Sequence, residues 1–123
     1  MLKNPVNWFE IPVGDMDRAA GFYRRVFGFD FKVTEMGPRT MAFFPADMNS
    51  YGIGGALVRE ETFRPSHAGT LVYFSVDDIN AVLEKAVAAG GKILVNRTSI
   101  GEYGFVGYFE DSEGNRLGLH SMR

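Results

Sequence analysis

Cysteine is absent from this 123-residue chain, which excludes disulfides and thiolate metal sites outright. Histidine is nearly absent: His67 and His120 are the only two, so a three-histidine or two-histidine-carboxylate metal site has little to draw on. No run of about 18 apolar residues occurs, so no segment is expected to cross a membrane. Neither sign of charge dominates, with 13 basic and 15 acidic side chains giving a net −2. The densest basic pair, Arg24-Arg25, falls in an expected helix, and nucleic acid requires a more concentrated footprint. The opening MLKNPVNW has neither the apolar stretch nor the small-residue cleavage site of a signal peptide, so the expected location is the cytoplasm. Tryptophan occurs once, at Trp8.

Phenylalanine, by contrast, is abundant, with eleven residues in a chain that is 14% aromatic. Such content implies large apolar walls, in a core or a pocket. A hydrophobic fraction of 46% and a charged fraction of 23% are those of an ordinary globular domain, and the length suits one domain.

The stretch NWFEIPV alternates as a strand does, with Phe9, Ile11 and Val13 on one face and Trp8, Glu10 and Pro12 on the other. Gly14-Asp15 then breaks the alternation and offers a capping carboxylate. Met16, Ala19, Ala20, Tyr23, Val26 and Phe27 follow at helical spacing, and Gly28 stops the helix. FDFKVTEM, TMAFF and GIGGALV read as three strands between turn signals. The second half repeats the order: TLVYFSV, a cap at Asp77-Asp78, the helix INAVLEKAVAAG, and the strands KILVN, YGFVGYF and NRLGLHS.

A shift of 63 positions, the separation of Val13 and Val76, also lays Asp15 on Asp78, Gly28 on Gly91 and Gly55 on Gly118. These matches fall at the strand end, the helix cap, the helix stop and the last strand, which predicts a duplicated βαβββ unit. The expectation is one α+β domain over 1–123, with unit one at 5–59, a linker at 60–68 and unit two at 69–121. One helix covers only one face of a four-stranded sheet. The uncovered faces carry Trp8, Glu10, Leu71, Tyr73, Ser75, Arg116, Gly118 and His120, aromatic surface with a few ionisable groups, as in small-molecule sites. Two curved sheets meeting on these faces enclose a cleft, with the helices outside.

The V-x-D before the first helix, FYRRVFGF within it and the ending FEDSEGNRLGLHS resemble the vicinal oxygen chelate superfamily, as does the βαβββ–βαβββ order. That superfamily includes glyoxalase I, extradiol dioxygenases, fosfomycin-resistance enzymes and bleomycin-binding proteins. TSIGEYGF resembles its small glyoxalase-like members, although Ser112 replaces the proline common in the final turn. The resemblance implies a divalent metal held from the first and last strand of each unit, at positions that here are Trp8, Gly55, Leu71 and Gly118. None of these side chains coordinates a metal, so no metal and no other cofactor is expected. Glu10 is the candidate acid/base or a partner for Arg116, and Arg116 a clamp for a ligand carboxylate. Trp8, Leu71, Tyr73 and His120 are candidate cleft residues, with Glu102 and Tyr103 a candidate lid. The expected protein binds a small organic molecule and forms a homodimer. The alternative is a glyoxalase-like lyase or isomerase, of lactoylglutathione lyase type, acting through Glu10.

Overall fold

The computed structural model describes residues 4–47 and 49–123. Strand β1 (Trp8–Pro12) leads into helix α1 (Met16–Phe27), and β2 (Lys32–Met36), β3 (Arg39–Phe43) and β4 (Gly54–Arg59) follow. The second half runs β5 (Tyr73–Ser75), α2 (Ile79–Ala88), β6 (Lys92–Ser99), β7 (Phe105–Glu110) and β8 (Arg116–Ser121), with a short 3-10 turn at Gly101–Tyr103. Each half forms its own four-stranded mixed sheet, in the orders β1-β4-β3-β2 and β5-β8-β7-β6. The fold is therefore α+β, with the expected βαβββ order repeated. Among the described residues no helix is long and apolar enough to cross a membrane.

Both helices start where the sequence provides a carboxylate. Asp15 Oδ1 accepts from the Arg18 N–H at 3.0 Å, and Asp78 Oδ1 from the Ala81 N–H at 3.1 Å, satisfying N–H groups that the first turn leaves free. Gly28 ends α1 at φ 77°, in the left-handed region that glycine enters without a steric penalty. The apolar stripes of both helices and the helix-facing rows of both sheets share one core. Phe22, Tyr23, Leu57, Ile79, Phe109 and Leu119 are fully buried in it. The β1 and β5 edges of the two sheets approach through aromatic contact, with the Phe9 and Phe74 rings 6.4 Å apart.

The motif FEDSEGN ties the second half to the first. Buried Asp111 accepts from the Tyr23 hydroxyl of α1 at 2.7 Å and from Asn115 Nδ2 at 3.0 Å, while Asn115 Nδ2 also reaches the Pro12 carbonyl at 2.8 Å. Burial pushes the Asp111 carboxyl up against the opposing pull of Asn115 and Tyr23. Burial also lifts the Tyr23 phenol well above its ordinary value, and the adjacent Asp111 adds to the rise. Glu113 sits at the start of α1. Its Oε1 accepts from the N–H groups of Gly14 and Asp15, both at 2.9 Å, and its Oε2 from Arg18 Nε at 2.7 Å. An anion at a helix N-terminus is electrostatically favoured, and here the protein supplies its own.

The ladders correct two details of the sequence reading. The 63-position shift holds from β1 to α1, but Glu10 pairs with Ala56 whereas its counterpart Tyr73 pairs with Gly118. The last strands are therefore related by 62 positions, and Ala56, not Gly55, is the counterpart of Gly118. A Cβ on Gly55 would lie 2.5 Å from the Phe9 ring, on the core side. Strand β6 is also longer than KILVN, because two irregularities in its pairing with β7 carry it past Asn96 to Ser99.

Candidate functional site

The uncovered face of the first sheet has an apolar floor and a charged edge. Met41, Ala56 and Val58 are buried there beneath Phe43 and Phe63, and Trp8 packs obliquely on Phe43 with ring centroids 6.0 Å apart. Trp8 remains 43% exposed, so it walls this face without being covered by it. Glu10 stands in the next row with both carboxylate oxygens engaged. Trp8 Nε1 donates to Oε2 at 3.3 Å, and Arg39 Nη2 donates to Oε1. The Glu10 ion pair is thus with Arg39 of β3 and not with Arg116. Arg39 also faces Glu60, 3.8 Å away.

The uncovered face of the second sheet is built from β5, β7 and β8. The Tyr73 and Tyr108 hydroxyls are 2.6 Å apart, and that hydrogen bond, followed by burial, raises the Tyr73 phenol. The Tyr73 ring lies over Gly118, where an added Cβ would come within 2.5 Å of it. Gly118 is thus needed to seat the ring. The Arg116 guanidinium lies 5.0 Å from the Tyr108 ring centroid, a cation–π arrangement.

The two faces meet at a cavity of about 360 Å³, within the range of small-molecule sites. Its walls include Glu10 and Pro12 of β1, Phe63, Arg64 and Ser66 of the connecting segment, and Arg116 of β8. The connecting segment is held there by backbone contacts, since the Arg116 N–H donates to the Ser66 carbonyl at 3.4 Å. Glu10 and Arg116 therefore share one cavity although they do not pair.

The remaining candidates lie elsewhere. Leu71 precedes β5, half-buried, between the cavity residues Thr70 and Val72. His120 is further along β8, opposite Ser75, and its Nε2 donates to the Tyr103 carbonyl at 2.6 Å. Glu102 and Tyr103 form the 3-10 turn at that end of the sheet. They line no wall of the 360 Å³ cavity, so the lid expected of them does not lie over Glu10. His67 is bound to Glu110 at 2.8 Å. Arg39 and Tyr108, which contact Glu10 and Arg116, and Phe63, which lines the cavity, are residues that the sequence reading did not select. Strand alternation alone carried a usable signal, for it places Arg39 and Tyr108 on the uncovered faces.

A metal, which the resemblance implies, does not fit these residues. On the observed pairing the four expected ligand positions are Trp8, Ala56, Leu71 and Gly118, and none of their side chains offers a lone pair to a metal, since the Trp8 indole N–H is a hydrogen-bond donor only. Among the described residues no three of His, Cys, Asp and Glu cluster as a metal site would require.

Comparison with known proteins supports the architecture. A family model described as Glyoxalase/Bleomycin resistance protein/Dioxygenase superfamily matches residues 6–119. A glyoxylase-like domain-containing protein from Didymella fabae is 32% identical over 119 residues, which cover 94% of this chain and 91% of that one. A putative glyoxylase from Mycobacterium bovis is 25% identical over 115 residues, covering 92% of this chain but 44% of its own length. Among solved structures, a glyoxylase/bleomycin resistance protein/dioxygenase domain from a Frankia species superposes with a TM-score of 0.76 at 15% identity, covering 98% of both chains. A glyoxalase I variant from Zea mays gives 0.75 at 21% identity, with 96% of this chain and 47% of that one covered. An antibiotic-binding protein from a Streptomyces species gives 0.68 at 23% identity, covering 98% of both. At these identities the structural likenesses show the fold alone.

Proposed function

Because the chain belongs to the Glyoxalase/Bleomycin resistance protein/Dioxygenase superfamily, we propose that it binds a small organic molecule without the divalent metal that many relatives use. The observation that carries this reading is the set Trp8, Ala56, Leu71 and Gly118 at the four positions where ligands are expected. A firmly held ion needs three or four protein donors, and these residues provide none. The Streptomyces protein of this fold binds an antibiotic, and sequestration of a comparable molecule is the function proposed for this chain.

The lyase or isomerase reading depends on Glu10 as a base. Each Glu10 oxygen already accepts one hydrogen bond, from Trp8 Nε1 and from Arg39 Nη2, and these contacts support a positioning role for the carboxylate over proton abstraction. Glu10 therefore positions Arg39 and the indole, and the cleft recognises its ligand by shape and a few polar contacts. The proposal includes a cytoplasmic homodimer. β2 and β6 are outer strands with no further strand beyond them among the described residues, and Ile93, Leu94 and Val95 on β6 are each more than a third exposed. Proteins usually cover such an edge.

A thermal-shift screen of small organic molecules in the presence of EDTA tests the reading. A ligand that raises the melting temperature equally with and without EDTA supports it. Stabilisation that requires added Ni²⁺, Zn²⁺, Fe²⁺ or Mn²⁺, or isomerisation of a hemithioacetal abolished by Glu10→Gln, contradicts it.

A further inference from the structure

The cavity where the two faces meet has an unbalanced charge. Glu10 is its single lining acid and is already neutralised by Arg39. Arg64 and Arg116 also line it, and neither makes an ion pair among the described residues. The chain as a whole carries a net −2, so two uncompensated guanidinium groups at one cavity run against the overall balance. Of the neutral polar lining, Asn115 is engaged with Asp111 and Pro12 and Ser66 Oγ with the Ala68 backbone, and the Thr70 hydroxyl adds hydrogen-bonding capacity without negative charge.

The shape of the site narrows the anion. Arg116 is held against the Tyr108 ring, which presents its planar donor fork and suits bidentate pairing with a carboxylate. The Tyr108 and Tyr73 hydroxyls share one hydrogen bond. Neither tyrosine lines the cavity, so the pair backs Arg116 and does not itself face the ligand. Phe63 and Pro12 supply flat apolar wall. We propose that this cavity binds a small organic anion, a carboxylate on a flat apolar or aromatic body, with Arg116 and Arg64 holding the carboxylate and Phe63 and Pro12 the body. The proposal rests on the metal-free binding reading above and names the ligand class for that site.

NMR titration of the full chain with sodium benzoate, its neutral isostere benzamide and inorganic phosphate tests it. Benzoate is expected to saturate and to shift the Arg64 and Arg116 side-chain signals, with benzamide weaker by about tenfold or more. A charge-assisted hydrogen bond of this kind is worth roughly a ten- to hundredfold change in affinity, so Arg116→Gln should weaken benzoate by that factor and leave benzamide unchanged. Arg97→Gln, which alters a cation stacked on Phe105 away from the cavity, should change neither. The proposal is overturned if benzoate does not saturate, if benzamide binds as tightly, or if Arg116→Gln and Arg64→Gln both bind benzoate like the parent. Phosphate competing as well as benzoate would overturn the flat-body assignment. Benzamide binding with benzoate refused would leave the proposed function standing while removing the anion. The proposed function itself fails on a different result, ligand binding that requires a divalent metal.

Discussion

Glu113 joins the hairpin between β7 and β8 to the first turn of α1, and its side chain is fully covered. Burial works to raise its pKa, yet the bonds from Arg18, the Asp15 N–H, Ser112 and the Gly14 N–H outweigh it and hold the carboxyl below its ordinary value of 4.5. A carboxylate whose pKa falls on folding stabilises the fold fully above its unfolded value and loses that contribution as pH drops through the folded one. Urea unfolding should therefore find Glu113→Gln less stable than the parent at pH 7, with the gap closing below about pH 4. Removing the side chain as Glu113→Ala should cost about 2–3 kcal/mol at pH 7, the range for a lost charge-assisted hydrogen bond. Asp111 has the opposite sign: its raised pKa means its contribution is largest in acid and falls as pH rises from 3.8 through the folded value. Tyr23→Phe should cost about 1 kcal/mol, since Asn115 still satisfies the Asp111 oxygen that the phenol leaves. At this scale the sequence was partly legible. The alternation in NWFEIPV places Trp8 and Glu10 on the uncovered face, but nothing local to Glu10 says that its partner is Arg39, 29 residues away. Which of several scattered arginines reaches a given carboxylate is decided by strand pairing, and one sequence does not contain that pairing explicitly.

Helices were the most legible elements, because caps, apolar stripe and glycine stop agree at Asp15, Tyr23 and Gly28. Strand β6 was the least legible. All eight of its residues are exposed and its pairing slips twice, so no alternation marks where it ends. The register of β4 was misread by one residue because Gly55 and Gly118 are identical, and identity outweighed pairing. The two neighbouring glycines now separate the readings by experiment. Gly55→Ala pushes a methyl against the Phe9 carbonyl and ring at 2.5 Å, whereas the Cβ of Gly54→Ala meets Ala46 at 3.2 Å and the Trp8 ring at 3.4 Å. Overpacking of a core typically costs about 1–3 kcal/mol, so thermal unfolding should show Gly55→Ala clearly destabilised and Gly54→Ala much less so. Equal effects would place both glycines on the same footing and contradict the pairing of Phe9 with Gly55.

The described residues form two half-covered sheets sharing one core, with the outer face of each sheet and the β2 and β6 edges uncovered among them. Light scattering should give a mass of twice the 13.7 kDa chain, since unpartnered edges such as β6 are normally covered. A mass of one chain across micromolar concentrations would contradict the proposed dimer. The cavity is lined by an ion-paired carboxylate and by two arginines that make no ion pair among the described residues, in a fold shared with a glyoxalase I and an antibiotic-binding protein. The proposed separation of this chain from a metalloenzyme of that fold rests on the side chains at four positions. Elemental analysis of the purified, dialysed protein measures this directly. With Trp8, Ala56, Leu71 and Gly118 at those positions, Ni, Zn, Fe and Mn should together remain far below one atom per chain. One tightly retained divalent ion per chain would contradict the account.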